Sequence, residues 1–145
     1  GAGDDVFVWN PGDDNDTIEG QAGRDEMLFN GANVAERINV SANGGRVLFT
    51  RDIANVVMDT NDVEAITFNA LGGADTVTAN DLSGTDVTEI NLNLASVGGS
   101  GDGAADTVIV NGTSGDDVAV AVGDAAGTSL FGLFAVVNIT GAEAT

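Results

Sequence analysis

Apolar and polar residues alternate with a period of two along most of this chain, and no stretch sustains the three-to-four-residue period of a helix. Glu89-Ile90-Asn91-Leu92-Asn93-Leu94 and Ala65-Ile66-Thr67-Phe68-Asn69 are the clearest runs. Such alternation predicts short strands that bury one face and leave the other to water. Glycine and aspartate punctuate the runs, so the expected class is all-β with tight turns. Ser129-Leu130-Phe131 and Phe134 to Ile139 read as the last strands.

The first 28 residues divide into three consecutive units of one kind. The third, Gly20-Gln21-Ala22-Gly23-Arg24-Asp25-Glu26-Met27-Leu28, is a variant of G-G-x-G-x-D-x-U-x, with U a large apolar residue. The second is Pro11-Gly12-Asp13-Asp14-Asn15-Asp16-Thr17-Ile18-Glu19, and the first is Gly1-Ala2-Gly3-Asp4-Asp5-Val6-Phe7-Val8 with one residue missing. Strand alternation after each aspartate sends Phe7, Ile18 and Met27 to the core and leaves Thr17 and Glu19 outside. Glycines permit the positive φ that folds a turn tightly. Trp9 reads as a core or end-cap residue, and Pro11 sits at a turn, where its missing N–H is harmless.

These units resemble the hemolysin-type (RTX) calcium-binding repeat. The resemblance implies a right-handed parallel β-roll or β-solenoid, with Ca2+ held in the turns by carboxylate and carbonyl oxygens. Carried over residue by residue, it implicates Gly3, Asp5, Asp14, Asp16, Gly20, Ala22 and Asp25. A plainer role stays open beside it, in which the aspartates cap turns through Asx-type hydrogen bonds.

Asp5 and Asp16 are 11 residues apart and Asp16 and Asp25 are 9 apart, so Asp5 and Asp25 should share one edge and Asp16 the other. Gly72–Asp75, Gly84–Asp86, Gly103–Asp106 and Gly115–Asp117 repeat the pattern more loosely. Asp86 and Asp106 are again 20 apart, which predicts a second same-edge pair; Asp75, Asp86, Asp106 and Asp117 are the metal candidates of this block. The chain thus divides into RTX-like repeats at 1–32, irregular β coils without calcium loops at 33–69, and degenerate coils at 70–145. Asn43-Gly44 in the middle region is a hairpin signal. That region is either calcium-free coils of the same solenoid or a hairpin excursion, and coils with one hairpin are the expectation. Asp52, Asp59, Asp62 and Glu64 read as a solvated edge.

Composition narrows the function. There are 23 acidic residues against 4 arginines and no lysine, a formal charge of −19. Nucleic acid binding is disfavoured without a basic face, and no apolar run is long enough for membrane insertion. Self-repulsion on this scale destabilises a compact chain unless cations offset it. With no His, Cys, Lys or Tyr, most proton-transfer and nucleophilic machinery is missing, so no enzyme is expected in these residues. The reading is a calcium-binding structural module of a secreted bacterial protein, extracellular or at the cell surface, with type I secretion implied by the resemblance. Two rivals remain: a self-assembling surface or filament protein that associates end to end, and the non-catalytic appendage of a secreted enzyme. The chain starts inside a repeat, as a piece of something longer would.

Overall fold

The computed structural model describes residues 1–143; residues 144 and 145, which the sequence assigns to the last coils, lie outside the described residues. The chain is nearly all-β, and two mixed sheets pack face to face without closing into a barrel. Sheet 1 contains β1 (Val6–Trp9), β3 (Glu26–Asn30), β7 (Ala65–Leu71), β9 (Glu89–Ser96), β13 (Val136–Thr140), β12 (Gly127–Phe131) and β11 (Val120–Asp124), in that order. Sheet 2 contains β10 (Thr107–Val110), β8 (Thr76–Ala79), β4 (Arg37–Asn43), β5 (Arg46–Arg51), β6 (Val56–Asn61) and β2 (Asp16–Glu19). Up to β4, and again from β7 to β10, the chain alternates between the sheets strand by strand.

Strand phase follows the sequence pattern. Ile18 and Met27 are buried and Phe7 packs against the core from a half-buried position, while Thr17 and Glu19 are exposed. Register stacks these residues into columns. In sheet 1, Trp9, Phe29, Phe68, Leu92 and Ile139 are successive partners, and so are Phe7, Met27, Ile66, Ile90 and Val137. Trp9 lies flat on Phe29 with ring centroids 4.0 Å apart, and Phe29 meets Phe49 of the opposite sheet at 4.6 Å. Well-oriented aromatic pairs add roughly 0.5–1.5 kcal/mol each to the burial itself.

The sheets are mixed because two three-stranded antiparallel meanders interrupt the parallel pairing. In the first, β4, β5 and β6 fold back on one another with Gly44 and Gly45 between the paired Asn43 and Arg46. Gly44 has φ 66°, the conformation that a two-residue hairpin demands. The hairpin expected at Asn43-Gly44 therefore forms there, but its strands belong to sheet 2 and make no excursion from it. The second meander, β11 to β13, joins sheet 1 through the parallel pair β13–β9.

Strands β1 and β2 end the two sheets on one side, and a groove of about 270 Å3 lined by Phe7, Trp9, Ile18 and Met58 opens between them. Truncating Ile18 to Ala should cost roughly 2–5 kcal/mol by denaturant unfolding, toward the lower end because one side of the site is already open. Thr17→Ala on the neighbouring outer position should stay within about 0.5 kcal/mol. Equal losses from the two substitutions would contradict this phase.

Candidate functional site

The residue just before a strand is acidic again and again, and its carboxylate accepts a backbone N–H from the neighbouring coil. On sheet 1, the Asp5 N–H donates to Asp25 Oδ1 at 2.8 Å and the Asp25 N–H donates to Glu64 Oε2 at 2.7 Å. On sheet 2, the Asp75 N–H donates to Asp106 Oδ1 at 2.8 Å and the Glu36 N–H donates to Asp75 Oδ1 at 2.7 Å. The second ladder ends on a cation. Glu36 takes the Arg51 guanidinium in a buried ion pair, and that guanidinium lies 5.4 Å from the centre of the Trp9 ring. Charge-assisted bonds to backbone N–H groups are about twice as strong as neutral ones.

Asparagines form a second set of rungs at the far ends of the same strands. Asn30 Nδ2 donates to Asn10 Oδ1, Asn69 to Asn30, and Asn93 to Asn69, at 2.9 to 3.2 Å. On sheet 2, Asn111 Nδ2 donates to Asn80 Oδ1 at 3.0 Å and Asn80 to Asn39 at 2.9 Å. The two rungs are five residues apart, as in Asp5–Asn10, Asp25–Asn30, Glu64–Asn69, Asp75–Asn80 and Asp106–Asn111. That acid-x4-Asn frame is legible in the sequence, and it runs through the strands rather than through the glycine-aspartate turns.

Each candidate ligand can now be placed. Asp5 and Asp25 do share an edge, and Asp16 lies on the other sheet, where β2 pairs with the meander strand β6 and has no second acidic loop beside it. Gly3 donates its N–H to the Ala22 carbonyl, binding the first and third loops together at 2.6 Å. The Asp14 carbonyl accepts Trp9 Nε1–H at 2.9 Å. Gly20 donates to Asn61 O, and a Cβ on it would collide with the Asp62 carbonyl and come within 2.6 Å of Asp25 Oδ2. Asp106 does not pair with Asp86: Asp106 precedes β10 of sheet 2 and bonds Asp75, whereas exposed Asp86 precedes β9 of sheet 1. A spacing of 20 therefore marks the same edge only where each intervening coil contributes one strand to each sheet. Asp117 closes its own turn by accepting from Thr113 N–H and Oγ1–H. Of the acids read as a solvated edge, Asp52 is exposed, and its carboxylate also accepts the Arg37 N–H at 2.8 Å, whereas half-buried Glu64 belongs to the ladder by accepting from Asp25.

Two oxygens stand out. Asp25 Oδ2 and Asp75 Oδ2 are buried and have no hydrogen-bond partner among the described residues, at matching places in the two ladders. A buried polar atom left unpaired costs about 1–3 kcal/mol, more when charged. Oxygens crowd two of the loop glycines: Asp25 Oδ2 and Asp62 O at Gly20, and Glu36 Oε2 with the Asn69 and Ala70 carbonyls at Gly31. Among the described residues, no three acidic side chains converge as a ligand cluster. A hard cation would fit such a donor set through one carboxylate and turn carbonyls.

No protein-family model, curated protein or solved structure matches this chain. No helix among the described residues is long and apolar enough to cross a membrane.

Burial pushes the Asp75 carboxyl up to about 7; the charges of Glu36, Asp106 and Asp102 push the same way, and the Glu36 N–H opposes them. Burial also raises Asp106, whereas N–H groups of Ala104 and Gly73 hold exposed Asp102 low. The folded-state value of Asp75 lies above the ordinary value of about 4. Its contribution to stability is therefore complete below about pH 4 and is lost as pH rises through about 7. In chelator, the melting temperature should fall between pH 5 and 8, and Asp75→Asn should flatten that slope, since Asn keeps the acceptor for Glu36 and carries no charge. The variant would also be the more stable of the two at pH 8. An unchanged slope would show that Asp75 does not titrate in this range.

Proposed function

We propose that this chain is a non-catalytic, calcium-binding structural module, a right-handed parallel β-roll or β-solenoid of a secreted RTX-like protein. The observation that carries the proposal is the pair of buried carboxylate oxygens, Asp25 Oδ2 and Asp75 Oδ2, that have no hydrogen-bond partner among the described residues, the first of them beside the Asp62 carbonyl at Gly20. Three tandem repeats at residues 1–28 and the charge of −19 support it from the sequence side. Ca2+ at these turns would satisfy the orphaned oxygen, offset charge and tie successive coils together. Asp25 with Asp5 would serve one edge, and Asp75 with Asp106 the other. The module folds when it meets calcium outside the cell, and its work is mechanical: a stiff acidic spacer.

Millimolar Ca2+ added to chelated protein should raise β-structure and melting temperature, and Mg2+ should do much less, because it is smaller and sheds water reluctantly. Asp25→Asn separates the two roles of the side chain. It retains the oxygen that caps the Asp5 N–H and loses the charge, so calcium affinity should drop about tenfold or more while the fold persists. Asp116→Ala, an exposed acid, should leave the calcium response unaltered. A native-like calcium response from Asp25→Asn, or no response from the unmodified chain, would refute the calcium reading.

A further inference from the structure

The two hydrogen-bond ladders stop at strands β1 and β10, and they stop with complementary groups. Between β1 and β3, the N–H of the pre-strand Asp5 donates to the Asp25 carboxylate, and the Asn30 amide donates back to Asn10 Oδ1. Between β8 and β10 the same two bonds run the same way: Asp75 N–H to the Asp106 carboxylate, and the Asn111 amide to Asn80 Oδ1. One further rung on β10 would need a carboxylate for the Asp106 N–H and an amide for Asn111 Oδ1. Neither atom has a hydrogen-bond partner among the described residues. Strand β1 presents both missing pieces on its outer edge: the Asp5 carboxylate, met among the described residues only by the Gly1 amine at 3.1 Å, and Asn10 Nδ2.

We propose that a second copy of this chain docks here, with β1 of one copy pairing in parallel with β10 of the next. Aligning Asp5 with Asp106 brings Asn10 opposite Asn111, because both intervals are five residues. Phe7 then stacks on Val108 and Trp9 on Val110, and each of these already faces its own core. Val8, 53% exposed, covers Ile109, 42% exposed. The side-chain chemistry of the strands agrees. Edge strands are normally guarded by charge or proline, and β2, the neighbouring edge, carries Asp16 and Glu19. Val6–Trp9 and Thr107–Val110 contain no charged residue, in a chain with 23 acids. The contact uses a different surface on each partner, so it is heterologous and propagates into an open-ended chain of copies. It goes beyond calcium-dependent folding and needs no metal at the junction. Each copy carries a charge of −19, so association should strengthen as salt screens that repulsion.

Sedimentation or light scattering, in calcium and at about 1 M salt where the Debye length is about 3 Å, should show mass rising with protein concentration. Val8→Lys and Ile109→Lys should each abolish the rise while circular dichroism stays native. Lysine lowers the net negative charge, so lost association cannot come from added repulsion. Mixed one to one, the two variants should form dimers and nothing larger, since one keeps only its β10 edge and the other only its β1 edge. Asn10→Asp still accepts from Asn30 but has no amide to donate, and should weaken association by about tenfold. A native chain that stays monomeric at every concentration would overturn the proposal. So would a lysine variant that associates like the native chain, a mixture that stays monomeric, or an Asn10→Asp chain that associates unchanged.

Discussion

The fold depends on where each coil sends the first N–H of its strand. A strand that enters from a tight turn begins with a backbone donor that its own coil does not satisfy, and burying it unpaired would be costly. Here an acidic side chain from the next coil accepts it, from Asp25 to Asp5 and from Asp106 to Asp75. One residue thereby fixes the neighbouring coil in register and starts the strand whose apolar side chain, two positions later, lies over the core. The asparagine five positions on repeats the tie at the other end of the strand, so both ends of a short strand are pinned.

This arrangement concentrates negative charge along two edges, and the chain answers it differently on each. On sheet 2 the ladder runs into Arg51, a cation placed inside by the inward phase of β5 and matched to Glu36. Arg51 has little exposure and its plane lies over Trp9, so it is held by an ion pair and an aromatic face together. On sheet 1 the ladder reaches Glu64 with no buried cation at its end among the described residues, and the nearby Arg24 pairs with Glu89 on the outside. The two ladders share geometry and differ in electrostatic closure.

Much of this was legible in the sequence, and what was not has a physical reason. Alternation placed Ile18 and Met27 inside, and the 20-residue interval put Asp5 beside Asp25, because both follow from local geometry. The Asp86–Asp106 expectation failed because a 20-residue interval returns to the same edge only when it holds two strands: β1 and β2 lie between Asp5 and Asp25, but β9 alone lies between Asp86 and Asp106. Asp106 finds Asp75, 31 residues away, because the chain between them makes β8 and the long strand β9 before it returns to sheet 2. The Arg51–Glu36 pair is a product of the first meander, and no periodicity brings those residues together.

The meanders also explain how parallel and antiparallel pairing coexist without ending the stack. Each has three strands, so the third runs in the direction of the first. Strand β6 thus emerges parallel to β4 and can pair in parallel with β2, just as β11 emerges parallel to β13. A two-stranded insertion would have left a reversed strand facing β2, and the parallel register of Asp16 with Met58 could not have formed. The return from β5 to β6 passes through Ala54 and Asn55 at φ 62° and 54°, conformations that L-residues other than Asn adopt reluctantly. Strain of that kind, of order 1–3 kcal/mol per residue, persists only where surrounding structure enforces it. The Asp52 carboxylate does so here, accepting the N–H groups of Arg37 and Ile53 and fixing the turn against β4. The acid that steadies this turn works by the same bond as the acids of the ladders, a carboxylate closing a backbone donor that the reversal of the chain would otherwise leave bare.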